Sequence, residues 1–413
     1  MARLRGKVAA VVLVAVVAAG CSDSGTGGTG SADAAAKSKQ QADTFEAVAF
    51  TGPDADFYKV PDPLPEVAHG TLLRYEELDG KVEGGTAYRV MYASESVAGD
   101  PIAVTGEVAI PAGTPPAEGW KLLSVAHGTT GIADDCAPSK ESGDSYMALA
   151  NGAVKAGYAV AISDYEGLGT PGVHPYLVGE SEGRGVVDAA ITAHQLPDAK
   201  VSKRYAIWGY SQGGHGAAWA NEIAAEWAPD LDLLGTVAGA PPSEMKAIFN
   251  ALGSSGATPG FFLMMLAGYH QAYPDLDMHE VLTDAGIKVI DQLDSGCDAI
   301  GKATDGQPMS ALVQPDLASA EDWGKVLDEN DPGRVKVDAP LLILHSGQDD
   351  LVPATLSELM FKRMCENGWT VERRVYNKGQ GHGAAVPDAV TDGIAWINDL
   401  FAGKPAKSTC PAG

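Results

Sequence analysis

Hydrophobic and polar positions alternate along this chain in a regular way. Short, wholly apolar runs are followed by longer stretches whose apolar residues recur at helical spacing. The runs Trp120–Ala126 (WKLLSVA), Tyr158–Ser163 (YAVAIS), Tyr205–Trp208, Leu233–Ala238 (LLGTVA) and Leu341–Leu344 (LLIL) predict strands buried on both faces. Thr370–Tyr376 predicts another. Between and after them, Tyr146–Ala156, Glu182–Gln195, Gly214–Trp227, a stretch from about Thr355 to Glu366 and a last one from Asp388 to Phe401 read as helices. Upstream, Leu72–Leu78, Thr86–Ser96 and Ile102–Pro111 are bounded by Gly and Pro and predict successive antiparallel strands. The proline-rich stretch Phe57–Val67 predicts an irregular arm. Strands that alternate with helices and have fully apolar interiors predict a mostly parallel, doubly wound α/β sheet.

One stretch breaks the alternation, from about Ser243 to Val335 (243–335). Its centre, Phe261–Tyr273 (FFLMMLAGYHQAY), is dense in Phe, Met, Leu and Tyr, and the rest is helix-like. It falls between two late strands, at the end of the sheet where α/β proteins bind ligands. A helical cap over that end is expected, within a single α/β domain spanning residues 51–413.

The N-terminus changes the picture of where this domain works. Arg3, Arg5 and Lys7 precede an apolar run from Val8 to Ala19, which is short for a bilayer span and reads as a signal peptide over residues 1–20. The run ends Val17-Ala18-Ala19-Gly20-Cys21, which resembles a bacterial lipobox and implies lipid attachment to Cys21. Residues 21–50 read as a flexible tether. Its Gly-, Ser- and Ala-rich part, Cys21–Gln41, has a random-coil reach of roughly 25–30 Å. An exported, membrane-anchored protein facing outward is expected, with free secretion as the alternative. With Cys21 set aside, Cys136, Cys297, Cys365 and Cys410 form an even set suited to two disulfides, for which three pairings exist. The formal net charge of −25 argues against nucleic acid and anionic membrane as partners and serves solubility.

The chemistry centres on Gly209-Tyr210-Ser211-Gln212-Gly213, a G-x-S-x-G sequence between a strand and a helix. Such a turn projects the serine hydroxyl alone, and the glycines leave room for it. In the strand order of such proteins the acid and then the histidine follow. After Leu341–Leu344 comes Asp349-Asp350-Leu351-Val352-Pro353, in which Asp349 suits the acid role and Asp350 is the runner-up. After the last strand, Gly379-Gln380-Gly381-His382-Gly383 frames His382 as the base. His215, His127 and His345 stand in the wrong order for a base, and His345 is expected to brace the acid turn. An oxyanion hole needs two backbone N–H groups. Gln212 supplies one, and the loop His127-Gly128-Thr129-Thr130-Gly131 supplies the other, from Thr129 first or Gly128 second.

Taken jointly, HGTTG with Cys136-Ala137-Pro138-Ser139, the DYEGLG turn at Asp164, GYSQGG, DDLVP and GQGH resemble the secretory lipase family of α/β-hydrolases. The resemblance covers most of residues 50–413. It implies an α/β-hydrolase fold with a helical lid, ester hydrolysis through an acyl-enzyme, and disulfides Cys136–Cys297 and Cys365–Cys410.

The leading expectation is therefore a serine ester hydrolase, a lipase or carboxylesterase, acting on lipid or other apolar esters with Ser211, His382 and Asp349. A peptidase or amidase using the same triad is the alternative. A non-catalytic lipoprotein that binds a hydrophobic ligand would require a broken triad. No metal-ligand spacing, phosphate loop or dinucleotide fingerprint is present, so no cofactor is expected.

Overall fold

The computed structural model describes residues 45–411 apart from 141–143, 256–258, 298, 305 and 380. The signal peptide, Cys21 and the tether as far as residue 44 lie outside the described residues. The last residues of the stretch read as tether, 45–50, include the short strand β1 (Val48–Ala49), which pairs in parallel with β2. A single helical turn, α1 (Asp54–Phe57), follows, and its Phe57 is fully buried.

Strands β2 (Leu72–Leu78), β3 (Gly85–Glu95) and β4 (Pro101–Pro111) form an antiparallel meander, as their bounded alternating runs predict. The chain then enters β5 (Trp120–Ala126), α2 (Asp144–Lys155) and β6 (Tyr158–Ser163). Next come α3 (Gly179–Ala193), β7 (Val201–Tyr210), α4 (Gln212–Trp227) and β8 (Asp232–Gly239). The described strands make one ten-stranded sheet in the order β1-β2-β3-β4-β6-β5-β7-β8-β9-β10, and β6 through β10 run parallel.

Among the boundaries that differ from the sequence expectation, two have a plain physical reason. Strand β7 starts at Val201, because polar Ser202–Arg204 continue its ladder beside Trp120 and Asp232 at the solvated end of the sheet. The apolar run marks only the buried middle of the strand. Helix α4 starts at Gln212, with Gly213 and Gly214 inside its first turn. Gly213 reads as a turn residue in the sequence and Gly214 as the first helical one, yet both serve close packing. A Cβ on Gly213 would lie 2.0 Å from the Ala126 carbonyl oxygen, and one on Gly214 would lie 2.3 Å from that of Gly239.

After β8 the chain forms the cap. It comprises α5 (Met245–Ser255), α6 (Pro259–Ala272), α7 (Asp284–Ile290), α8 (Ala299–Thr304), α9 (Met309–Leu312) and α10 (Glu321–Glu329). The cap has its own apolar core, in which Phe249, Phe262, Met265, Tyr269 and Trp323 pack against Ile132 and Tyr176–Val178 of the α/β body. Residues Phe262–Tyr269 of α6 are all buried, so this helix is apolar all round and runs through the middle of the cap. The sheet resumes with β9 (Leu341–Ser346), then α11 (Ala354–Glu366), β10 (Val371–Tyr376) and α12 (Val386–Phe401).

The four cysteines pair as Cys136–Cys297 and Cys365–Cys410. The first joins the turn after β5 to the cap across 161 residues of chain, and the second clips the C-terminal tail to the end of α11. Closing loops of such lengths stabilises a fold by roughly 4–5 kcal/mol each in the chain-entropy picture. Among the described residues, no helix is long and apolar enough to cross a membrane.

Candidate active site

Ser211 sits between the end of β7 and the start of α4, with φ 61° and ψ −125°. That backbone conformation is unfavourable for a side chain with a Cβ, by about 1–3 kcal/mol, and the surroundings hold it there. The Ser211 N–H donates to the Gly239 carbonyl at 2.9 Å, and its carbonyl accepts from the N–H of Gly214 at 2.8 Å and of His215 at 3.2 Å. The hydroxyl stands clear of the sheet, and the first turn of α4 presents its N–H groups beside it.

His382 follows the last strand. Its Nε2 lies 2.9 Å from Ser211 Oγ, and its Nδ1 lies 2.7 Å from Asp349 Oδ2. The Asp349 side chain is fully buried, whereas that of His382 keeps 13% exposure, which leaves it reachable from the cavity. Asp349 Oδ1 accepts the N–H groups of Leu351 at 2.9 Å and Val352 at 2.7 Å. Burial alone would raise the Asp349 carboxyl. Hydrogen bonds from His345, His382 and these two backbone groups outweigh it and hold the carboxyl well below the usual carboxylate range. It is an anion at all working pH values.

Asp350 faces the same histidine in another way. Its exposed carboxylate accepts the backbone N–H of His382 at 2.8 Å, while Tyr210 donates its hydroxyl to the His382 carbonyl at 2.8 Å. Of the tandem acids, Asp349 meets the imidazole and Asp350 meets the peptide that carries it.

The loop after β5 brings Gly128 and Thr129 to the same cavity as Ser211 and His382. Thr129 Oγ1 lies 2.9 Å from the Tyr176 hydroxyl. His127, which opens this loop, is buried, and burial pushes its imidazole down to about 4, so it is neutral at pH 7. Its ring packs 4.3 Å from that of Tyr165, which donates its hydroxyl to the His127 carbonyl. His127 thus shapes the loop and stands apart from the proton path.

Beneath the elbow lies a buried polar network that the sequence motifs do not reveal. Gln212 donates its amide to Glu182 Oε1 at 2.9 Å and to His174 Nε2 at 2.8 Å. His174 Nδ1–H is committed to the Glu166 carbonyl at 2.8 Å, which leaves Nε2 as the acceptor. Glu182 Oε2 also meets His215 Nδ1 at 2.7 Å, and His215 Nε2 meets the Asn330 carbonyl at the foot of the cap. His215 is therefore a structural tie between α4, α3 and the cap. No local pattern marks Glu182 or Asn330, because their partners lie far away in sequence.

Two apolar cavities open from Ser211. One, of about 370 Å3, is lined by Gly128, Thr129, Trp208, Tyr210, His382 and Val390 among others. The second, of about 380 Å3, runs between cap residues such as Ile248, Ala251 and Leu252 and the Leu351–Pro353 turn. Ser211, Phe261 and Leu351 line both. Among the described residues, no group of three or more His, Cys, Asp or Glu side chains could hold a metal ion.

A parallel sheet with a serine at a strained strand-to-helix turn and a capped carboxyl end is the fold of the α/β-hydrolases. Solved structures bear this out. Candida antarctica lipase A in its closed state superposes with a TM-score of 0.74 at 22% identity, covering 87% of this chain and 89% of that one. The rice cell wall degrading esterase LipA from Xanthomonas oryzae superposes with a TM-score of 0.69 at 21% identity, covering 82% and 100%. The chain belongs to the secretory lipase family, whose model matches residues 144–409. Membership makes it a carboxylic ester hydrolase of the lipase and esterase class, and with its disulfides it fits an exported protein.

Among similar proteins are a secreted triacylglycerol lipase of Malassezia globosa, 25% identical over 86% of this chain and 82% of the relative, and a protein of Mycobacterium tuberculosis named a probable inactive lipase, 26% identical over 85% and 83%. The second name makes the completeness of the site the feature to weigh in this chain.

Proposed function

We propose that this protein cleaves apolar or lipid esters through an acyl-enzyme on Ser211. Ser211 Oγ attacks the ester carbonyl carbon while His382 Nε2 takes its proton. Asp349 fixes the imidazole with its proton on Nδ1 and stabilises the cation that forms. The oxyanion meets the backbone N–H of Gln212 and that of Thr129, with Gly128 as the alternative donor. Collapse of the intermediate expels the alcohol, which receives the proton from His382. Water, deprotonated by the same histidine, then attacks the acyl-enzyme and releases the acid.

The observation that carries this reading is the continuous contact from Ser211 Oγ to His382 at 2.9 Å and from His382 to Asp349 at 2.7 Å, at the meeting point of two apolar cavities. All three roles are filled, which supports a working enzyme over an inactive relative or a ligand-binding lipoprotein. The apolar lining supports esters with apolar groups over peptides. Turnover of p-nitrophenyl esters by Ser211→Ala tests it: near-complete loss is expected, and wild-type turnover would overturn the reading.

The same reading puts the enzyme outside the cell membrane, held by lipid on Cys21 through the tether of residues 21–50. Detergent phase partitioning of Cys21→Ala tests this. The variant is expected in the aqueous phase and the wild type in the detergent phase.

A further inference from the structure

His345 is an unusual residue to find wholly buried in the last turn of a core strand. It lies four residues before Asp349, at the end of β9, and has no exposure at all. Its Nε2 lies 2.9 Å from the Val352 carbonyl and 3.4 Å from Asp349 Oδ2. A carbonyl oxygen only accepts, so Nε2 carries the hydrogen and shares it between the turn and the carboxylate. The oxygen it meets is the one that also receives His382 Nδ1. With Leu351 and Val352 on Oδ1, every acceptor direction of Asp349 is taken.

The other ring nitrogen is fixed as well. Nδ1 lies 2.8 Å from Ser357 Oγ on α11, and Ser357 is also fully buried. Arg373 on β10 donates Nε–H to Ser357 Oγ at 3.2 Å and Nη2–H to the Ala354 carbonyl at 2.8 Å. Ser357 Oγ also lies 3.1 Å from that same carbonyl, and His345 Nδ1, at 2.8 Å, is the nearer acceptor for its hydrogen. The Nε2 hydrogen is thereby aimed at the acid turn.

We propose that His345, Ser357 and Arg373 extend the relay outward, and that His345 is a positioning residue that holds the Asp349 carboxylate in line with His382. This rests on the reading of Ser211, His382 and Asp349 given above. The chain then runs from the Arg373 guanidinium through a serine, a histidine, a carboxylate and a second histidine to the nucleophile. The turn carrying Asp349 has two backbone anchors on Oδ1 only, so apart from the catalytic His382 itself His345 is the side-chain donor that holds Oδ2 in place. His345, Ser357 and Arg373 line neither cavity, although Thr355 and Leu356 of α11 line the second. The three side chains therefore act on the acid turn and not by touching substrate.

The test is steady-state kinetics on a soluble p-nitrophenyl ester with His345→Phe, His345→Gln, His345→Asn and Ser211→Ala, each with a thermal melt. In His345→Phe, kcat is expected to fall roughly tenfold or more, in the range seen when an outer partner of a functional group is lost, with KM within about twofold. Glutamine can offer an N–H where the ring Nε2 stood and should restore most of kcat. Asparagine reaches only the Nδ1 position and should not, at similar melting temperature. If the phenylalanine variant does not fold, Ser357→Ala takes its place, with a loss of several-fold in kcat and unchanged KM expected. Wild-type kcat in folded His345→Phe or Ser357→Ala, or equal rescue by Gln and Asn, overturns the proposal. A dead Ser211→Ala beside a fully active His345→Phe would sink this proposal alone, whereas an active Ser211→Ala would sink the relay beneath it.

Discussion

The α/β body and the cap meet at Ser211, and they are packed in different ways. In the body, backbone approaches backbone: Gly209, Gly213 and Gly214 let β7, β5, the end of β8 and the first turn of α4 touch, with no space for a Cβ at any of the three. In the cap, large side chains do the packing: Phe249, Phe262 and Trp323 fill the space between short helices. Positions of the first kind tolerate almost no change, because a carbonyl oxygen cannot move aside. Positions of the second kind can be repacked, at the cost of their own contacts. The body therefore fixes the reacting groups, while the cap is free to shape what reaches them.

The largest test of that division is at the acid turn. Asp349→Asn is expected to lower kcat about 10^4-fold by placing the wrong tautomer on His382, whereas Asp350→Asn should cost less than about tenfold, because it removes only the brace on the His382 peptide. Equal losses in kcat would mean that the two acids share one role.

A matched pair of stability variants comes next. Gly213→Ala puts a methyl group 2.0 Å from the Ala126 carbonyl and should lower stability by about 3 kcal/mol or more, with activity lost in the folded fraction. Trp323→Ala, wholly buried in the cap, should cost about 3–5 kcal/mol. Hydrogen exchange should distinguish them. Trp323→Ala is expected to open the cap helices first while β5 to β9 stay protected. Simultaneous opening of both regions would erase the distinction between body and cap.

How far this was legible in the sequence follows the same line. Trp120–Ala126 and Tyr158–Ser163 are strands with the bounds their apolar runs give, since Tyr158–Ser163 is buried from end to end and Trp120–Ala126 from Leu122 onward. Helix α4 and strand β7 begin earlier than their apolar patterns suggest, because glycine at a close approach and polar Ser202–Arg204 at a solvated strand end carry no hydrophobic signal. The position of the cap was readable from its break in the alternation. Its many short helices were not, since their partners are set by distant side chains. At the site, the motif order picks Ser211, Asp349 and His382, which stand within hydrogen-bond reach. Glu182, His174, Tyr176 and Asn330 escape any motif, because each joins segments more than twenty residues apart.

A smaller effect concerns pH. Glu222 on α4 accepts the N–H groups of Gly333 and Val335 where the cap returns to the body, and burial raises its carboxyl from 4.5 to about 7. A raised carboxyl holds a proton in the folded state that the unfolded chain has released. Its contribution to stability is therefore greatest below about 4.5 and declines as pH rises towards 7, by an amount on the order of 2–3 kcal/mol. The difference in melting temperature between wild type and Glu222→Gln should drift in favour of the variant from pH 5 to pH 8. A constant difference would show that Glu222 titrates normally.

The smallest effect is expected at the seam itself. Phe261 lines both cavities and is only half-buried, so Phe261→Ala should leave the melting temperature nearly unchanged. It should shift the ranking of ester chain lengths by several-fold, as expected where a few methylenes of apolar contact are gained or lost. An unchanged ranking would mean that the cap does not touch the substrate.

The most direct measurement is covalent. Wild-type protein treated with a fluorophosphonate, then digested and read by mass spectrometry, should carry one adduct on Ser211 and lose esterase activity in step with labelling, while Ser211→Ala should take up none. An adduct on another residue, or full ester turnover in protein already labelled at Ser211, would contradict the account.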